Sequence, residues 1–297
     1  MAAILPADDS PFHQLGEQRV QPAAPPPPRR RNWPWADAVF AALAQGAAWL
    51  TLALMAGIIF LGQQRIDKAG TLVPVDSQLE IKGSDCPYVS RGGLKLARAL
   101  EVFQVSPAGK KVLDLGSSTG GFCDCLLQNG AESVIAVDVG KGQLHQKLRQ
   151  DSRVTIRDEC NARYLSPADI GPVDWVTADL SFISLRLIFP VVEQFLQVSQ
   201  GLALMLIKPQ FEAGAKHLRK GVVKDPKIHH RVLEDMAEAA QQSGLQLCDC
   251  THSPVKGPAG NIEFIGNFQL KASRVPSLER IVEQAHSQLH KSDLKSC

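Results

Sequence analysis

Three charged residues end apolar runs in this chain. Asp138 closes Ser133-Val-Ile-Ala-Val-Asp138, Asp179 closes Val173-Asp-Trp-Val-Thr-Ala-Asp179, and Lys208 closes Gly201-Leu-Ala-Leu-Met-Leu-Ile-Lys208. A fourth feature, Lys111-Val-Leu-Asp-Leu-Gly-Ser-Ser-Thr-Gly-Gly-Phe122, reads as a buried strand, a glycine-rich turn and the start of a helix with Thr119 as its expected N-cap. The turn has neither the Gly-Lys-Ser/Thr of a phosphate loop nor the glycine spacing of a dinucleotide fingerprint. An acid, Asp114, stands two residues before Gly116, and the pair Gly120-Gly121 begins four residues after it. This suits a nucleoside with an amino-acid tail, and S-adenosylmethionine is the obvious one. Methyl transfer from its sulfonium is an in-line displacement, so a protein must orient the acceptor and remove its proton. For an alcohol acceptor, a lysine could take that proton where burial and nearby cations disfavour its charged form, with a carboxylate to keep it placed. Lys208 beside Asp179, with Lys95 nearby, suits that task. Methylation of a base amine would call for an (Asn/Asp)-Pro-Pro-aromatic turn after the fourth strand. The turn here is Asp179-Leu-Ser-Phe182, and it holds no Pro-Cys for attack on a pyrimidine ring.

The elements that must position these groups alternate. Strands are expected at 111–115, 133–138, 153–157, 173–179 and 201–208, with two more near 245–252 and 261–270. Helices are expected at about 94–103, 119–129, 184–199 and 226–243, the last started by Asp225-Pro226. The tail over 276–291 has one apolar face and would add a final helix. Alternation of this kind predicts an α/β fold with a mostly parallel, doubly wound sheet covered on both faces. Ligands of such sheets bind outside the carboxyl ends of the strands, and that rule collects the glycine turn, Asp138, Asp179 and Lys208 on one edge.

A net charge of +2 over 297 residues does not announce a nucleic-acid partner, so any basic surface must be local. The seven cysteines are odd in number, and Cys123/Cys125 and Cys248/Cys250 are spaced C-x-C without histidines at ligand spacing. Reduced cysteines in a cytosolic protein, and no metal site, are expected. Residues 1–37, with Pro25 to Pro28 and Arg29-Arg30-Arg31, read as a disordered leader. Ala38 to Gly62 carries no charge and is long enough to span a bilayer, with Trp33 and Trp35 before it as interface anchors. A second pattern, alternating with turns at Gly57, Gly62-Gln63 and Lys68-Ala69-Gly70, overlaps its end and reads as a small β-rich unit over 55–82.

Six motifs in order carry a resemblance: Tyr88-Val-Ser-Arg-Gly-Gly-Leu-Lys-Leu96, Leu113-Asp-Leu-Gly-Ser-Ser-Thr-Gly-Gly-Phe122, Ala136-Val-Asp-Val-Gly-Lys-Gly-Gln-Leu144, Ala178-Asp-Leu-Ser-Phe-Ile-Ser-Leu185, Ile207-Lys-Pro-Gln-Phe-Glu-Ala-Gly214 and Gly257-Pro-Ala-Gly-Asn-Ile-Glu-Phe264. Residues 86–270 resemble the TlyA (hemolysin A) family of ribosomal RNA 2′-O-methyltransferases, with an FtsJ-type, Rossmann-like methyltransferase fold. The resemblance implies a catalytic tetrad on Lys95, Asp179, Lys208 and Glu263. It implies S-adenosylmethionine held by Asp114, Gly116, Ser117, Thr119, Gly120, Gly121, Phe122, Asp138 and Asn161. Ribosomal RNA within ribosomal subunits is the implied partner, and a cytoplasmic location follows. From the basic residues themselves, Arg91, Arg98, Lys216, Arg219 and Lys220 are candidate RNA contacts. The family begins with a small RNA-binding domain like that of ribosomal protein S-four, whose second half resembles 55–82. Its first half is not matched in 1–54, where the leader and the apolar run stand instead, as in a fused or misjoined reading frame with membrane contact through 38–62. Residues 271–297 form a C-terminal helical tail. Two other function classes compete: a non-catalytic RNA-binding or ribosome-assembly factor, and a membrane-active protein such as the hemolysin name suggests.

Overall fold

The computed structural model describes residues 86–199, 201–271 and 276–293, together with three short strands at 59–61, 64–65 and 79–81. The chain divides into two compact units, Met1–Gly83 and Ser84–Cys297.

In the first unit, β1 (Ile59–Leu61), β2 (Gln64–Arg65) and β3 (Leu79–Ile81) form an antiparallel sheet in the order β2-β1-β3. Leu61 stands opposite Gln64, across the expected turn at Gly62-Gln63, and Phe60 stands opposite Glu80. The helix expected over 38–62 therefore does not run to its last residues. Ile59 and Phe60 are β-branched and aromatic, suit a pleated surface, and send their backbone bonds to neighbouring strands. The expected leader over 1–37, the rest of the apolar run over 38–58 and the turn at Lys68-Ala69-Gly70 lie outside the described residues. Among the described residues, no helix is long and apolar enough to cross a membrane.

The second unit opens with α1 (Gly92–Phe103), β4 (Lys111–Leu115), α2 (Gly121–Gln128), β5 (Ser133–Val137), α3 (Gln146–Arg149), β6 (Val154–Arg157), α4 (Pro167–Ile170) and β7 (Trp175–Ala178). It continues with α5 (Phe189–Ser199), β8 (Leu202–Ile207), α6 (Pro209–Glu212), α7 (Pro226–Gln242), β9 (Gln246–His252), β10 (Phe264–Gln269) and α8 (Leu278–Asp293). One seven-stranded sheet results, in the order β6-β5-β4-β7-β8-β10-β9. β4 to β8 pair in parallel, and β10 runs antiparallel to both of its neighbours. This is the expected Rossmann-like, mostly parallel α/β fold. All six residues of β8 are buried. Ala203, Met205 and Ile207 face a core shared with α5, α7 and α8, while Leu202, Leu204 and Leu206 face one shared with α1 and α2. Burial on both faces is why these strands read as continuous apolar runs.

Register sets the site. Leu115 pairs with Val137 and with Ala178, and Ala178 pairs with Met205. Residues 116–122, 138, 179 and 208 thus share the carboxyl edge of the parallel strands. Phe264 pairs with Ile207, so the amino end of antiparallel β10 reaches the same edge. One expectation is corrected here. α2 starts at Gly121 and its N-cap is Gly120 at φ 97°, not Thr119. Thr119 lies one residue outside, in a turn that needs a left-handed residue at position 120.

Away from this edge, α7 and α8 meet through two histidines. His229 is fully buried, its Nδ1 lies 2.8 Å from His286 Nε2, and its ring stands edge-on to Phe264. Burial, then the neighbouring His286, push His229 down to about 4 from 6.5, against smaller opposing effects of the Val223 backbone and of Asp225. The unfolded chain therefore binds a proton that the native state refuses across this window. Stability is expected to fall as pH drops from 6.5 towards 4, with this site contributing a slope of about 1.4 kcal/mol per pH unit. Thermal melts from pH 7 to pH 4.5 should show a shallower acid decline for His229→Leu than for the wild type. Parallel declines would remove His229 from the account.

Candidate active site

The glycine turn is held against β5. The backbone N–H groups of Gly116 and Ser117 both donate to the carbonyl of Val137, at 2.8 and 3.1 Å. Gly116 has φ +80°, and a Cβ there would lie 2.8 Å from the carbonyl oxygen of Asp179. No larger residue fits between the turn and the end of β7. Ser118, also left-handed at φ 47°, donates its N–H to Asp138 Oδ2 at 2.8 Å, and Gly140 N–H donates to Oδ1 at 2.8 Å. Asp138 so ties the turn after β4 to the loop after β5.

Two cavities open along this edge. One of about 380 Å³ is lined by Asp138, Val139, Asn161, Ala162, Leu180 and Ile183, among others. The other, of about 300 Å³, is lined by Ser117, Thr119, Gly121 and Phe122 of the turn and by charged groups from four further elements. Gly116, Ser118, Asp179 and Ser181 belong to both linings. Of the residues expected at a cofactor, Asp114 and Gly120 line neither cavity. Asp114 is fully buried behind the turn, where Thr177 Oγ1 and Cys123 Sγ donate to its carboxylate at 2.7 and 3.0 Å. Burial pushes its carboxyl up to about 6, against those two hydrogen bonds. Asn161 Oδ1 accepts from Arg163 N–H at 3.0 Å, which caps the short turn Ala162–Tyr164 and fixes the amide at the wall of the larger cavity.

Lys95, Asp179, Lys208 and Glu263 come together in the smaller cavity. Lys208 Nζ lies 2.7 Å from Asp179 Oδ1, Lys95 Nζ lies 3.7 Å from Asp179 Oδ2, and Lys95 Nζ lies 2.7 Å from Glu263 Oε2. Cation and anion alternate along the chain Lys208–Asp179–Lys95–Glu263, so four buried or half-buried charges sum to zero. Burying any of them without its partners would be costly. Each has its own support. Lys208 follows β8 directly and caps α6, whose first residue is Pro209. Asp179 follows β7, and its N–H donates to Leu115 of the neighbouring strand at 3.0 Å. Lys95 sits in the first turn of α1, where the helix start abuts that of α2: a Cβ on Gly121 would lie 2.8 Å from Gly93 N and 3.0 Å from Gly92 Cα. Glu263, 1% exposed, precedes β10 and reaches the site because that strand runs backwards.

Three residues here were not singled out from the sequence. Ser181 Oγ accepts from Lys208 Nζ at 2.8 Å. Gln210 Nε2 donates to Glu263 Oε1 at 3.3 Å, leaving Lys95 to the other oxygen. Phe182 is 91% exposed at φ 63°, beside Phe211 with ring centroids 5.2 Å apart, and it lines the larger cavity. The signal available was position alone: all three follow a strand-ending charged residue by two or three places.

The basic residues separate. Arg91 is exposed and lines the smaller cavity. Lys216, Arg219 and Lys220 are exposed on the loop after α6. That loop is fixed by Asn261, whose Oδ1 accepts from Val223 N–H at 2.9 Å and whose Nδ2 donates to the Gly221 carbonyl at 3.0 Å. Arg98 points elsewhere: it pairs with Glu101 at 3.0 Å and lines a groove with Leu94, Ala97 and His252 rather than the tetrad's cavity. Among the described residues, no group of three or more His, Cys, Asp or Glu side chains could hold a metal ion.

Residues 88–269 match the model of the FtsJ-like methyltransferases. The chain is 46% identical over 248 residues to YqxC of Bacillus subtilis, described as a candidate rRNA methyltransferase, covering 80% of this chain and 88% of that protein. It is 39% identical over 239 residues to the 16S/23S rRNA (cytidine-2′-O)-methyltransferase TlyA of Mycobacterium tuberculosis, covering 78% of this chain and 89% of the relative. Among solved structures, a hemolysin-named protein of Streptococcus thermophilus superposes with a TM-score of 0.70 at 40% identity, over 83% of this chain and 92% of the other. With the family model matching well over half its length, this chain belongs to the FtsJ-like methyltransferases and takes its methyl group from S-adenosylmethionine.

Proposed function

We propose that the protein methylates a ribose 2′-hydroxyl of ribosomal RNA, acting on ribosomal subunits in the cytoplasm. The observation that carries this reading is the alternating Lys208–Asp179–Lys95–Glu263 network at the junction of two cavities. The larger cavity suits the adenosine part of S-adenosylmethionine. Asp138 Oδ1 accepts from Gly140 N–H and, at 3.5 Å, from Gln143 Nε2, while Oδ2 accepts from Ser118 N–H alone, so of the about four acceptor sites of a carboxylate one on Oδ2 is left for a ribose hydroxyl. Asn161 would meet the adenine end, and Gly116 through Phe122 the methionine part. Bound there, the cofactor supplies a methyl already activated on sulfur.

The chain's own residues then have two tasks. Lys208, held by Asp179, first releases one of its own protons to solvent; the neutral amine then takes the proton of the 2′-hydroxyl as that oxygen becomes the nucleophile. Lys95, held by Glu263, fixes the hydroxyl's other side and the network's charge balance. DNA lacks the 2′-hydroxyl and so offers no acceptor. Arg91 at the cavity and Lys216, Arg219 and Lys220 on the tethered loop would meet phosphates. Phe182, exposed beside the site at φ 63°, suits stacking on the base of the target nucleotide. The cytidine named for the M. tuberculosis relative supports a ribose acceptor in ribosomal RNA.

The test uses purified protein, S-adenosylmethionine with a tritiated methyl group, and ribosomal subunits. The label should be recovered in alkali-resistant dinucleotides, because a 2′-O-methyl group blocks hydrolysis of the adjacent linkage. Label confined to alkali-released mononucleotides would make the acceptor a base, and no label in RNA would overturn the reading.

A further inference from the structure

Lysine is a poor choice for a group that must be aimed. Its four-carbon stem has many rotamers, and its nitrogen is a point charge without the fixed fork of arginine. Lys208 is nevertheless held at two points by one short segment. Asp179 Oδ1 is 2.7 Å from Nζ, and Ser181 Oγ, two residues further on, accepts from the same nitrogen at 2.8 Å. The nitrogen has three bonding directions beyond its own stem. Two are taken, and tetrahedral geometry then determines the third. Lys208, Asp179 and Ser181 all line the cavity through which an acceptor would enter.

Asp179 alone cannot do this aiming. Its carboxylate is shared with Lys95 on Oδ2, and a single contact leaves Nζ free to turn about the Oδ1 axis. Phe211 gives little restraint, with its ring centroid 5.9 Å from Nζ. Ser181 is well placed as the second point because the backbone turns sharply beside it, at Phe182 with φ 63°. A left-handed aromatic residue is strained, and strain of this kind persists where the surroundings fix a local geometry. Ser181 is also one of four residues common to the linings of both cavities.

We propose that Ser181 is a positioning residue that, with Asp179, aims the Lys208 nitrogen at the acceptor hydroxyl. The inference rests on the proposed methyl transfer for its catalytic consequence, and on Lys208 alone for its structural one. Both are measured. Ser181→Ala should lower kcat about tenfold to a hundredfold. KM for RNA and Kd for S-adenosylmethionine should stay within about threefold, because neither ligand is bound through Lys208. Ser181→Thr retains the hydroxyl and should recover most of kcat. Independently of RNA, reductive dimethylation read by mass spectrometry should label Lys208 about tenfold faster in Ser181→Ala than in the wild type, as expected for losing one hydrogen bond to a charged group. Lys95 serves as the internal reference, and Ser181→Thr should label at the wild-type rate. Ser181 is exposed, so these variants should melt as the wild type does. An unchanged labelling rate in Ser181→Ala overturns the inference even if RNA is methylated. A Ser181→Ala defect confined to KM, or one that threonine fails to recover, also overturns it, since Ser181 would then bind a ligand or merely fill space. If the wild type methylates no RNA while the labelling rates change as stated, the proposed acceptor is wrong and the pinning of Lys208 stands.

Discussion

Lys208→Ala is expected to lower kcat by about a thousandfold while leaving S-adenosylmethionine affinity within about threefold of the wild type. The lysine does not line the cavity assigned to adenosine, and in the smaller cavity it is engaged by Asp179 and Ser181, so the adenosine end and the glycine turn keep their contacts to the donor without it. Removing it breaks the 2.7 Å contact with Asp179, whose other oxygen remains 3.7 Å from Lys95. The quartet then carries one excess negative charge, but Asp179 is partly exposed and keeps a cation, so the fold should survive. Lys208→Arg separates two roles. Arginine keeps the positive charge and can pair with Asp179, yet it does not give up its proton in proteins. If Lys208 accepts the hydroxyl's proton, the arginine variant should be as inactive as the alanine one. Single-turnover methylation of ribosomal subunits measures both, with isothermal titration of S-adenosylmethionine alongside. Arginine activity above about a tenth of the wild type would mean that charge, not proton transfer, is what Lys208 contributes.

What the sequence made legible at this site follows from the direction of the strands. β5, β7 and β8 are parallel strands whose residues are mostly buried, so each reads as a mainly apolar run and the charged residue that follows it is conspicuous. Asp138, Asp179 and Lys208 are therefore readable from pattern alone. Glu263 is not. It precedes an antiparallel strand, and a rule about carboxyl ends overlooks it; only resemblance to a family brought it into the set. Asp114 shows the reverse case. It stands in the motif but lines neither cavity, because even-numbered residues of β4 face the α1–α2 side and its carboxylate is consumed by Thr177 and Cys123. Arg98 was readable as basic but not as paired. Its partner Glu101 is one helical turn away, and only the packing of α1 decides which face holds the tetrad. Ser181 and Gln210 carry no signal beyond position, since a serine or glutamine two places past a strand end is ordinary until its partner is known.

The cofactor turn meets the strand end that carries Asp179 at Gly116, and this yields the second large effect. Gly116 sits at φ +80°, where an alanine is strained whatever space it finds. Here it finds none: a Cβ would lie 2.8 Å from the carbonyl oxygen of Asp179, 3.0 Å from Leu180 Cδ2 and 3.2 Å from the Asp179 carbonyl carbon. Two of these atoms are backbone, so relief requires the turn to leave β7 or the segment 179–181 to move. The first displaces the N–H groups of Gly116 and Ser117 from Val137 and opens the donor site. The second displaces Asp179 and Ser181, which hold Lys208. Gly116→Ala should therefore weaken S-adenosylmethionine binding by about a hundredfold, the equivalent of about 3 kcal/mol of strain. It should also lower kcat at saturating donor, a combination that Lys208→Ala does not produce. Calorimetric titration reads the first effect and single-turnover rates read the second. A variant that binds the donor normally and loses only kcat would show that the turn yields nowhere and the strand end moves alone. One that loses neither would show that the close approach of turn and strand, on which this account of the site depends, is not what holds the two halves of the reaction together.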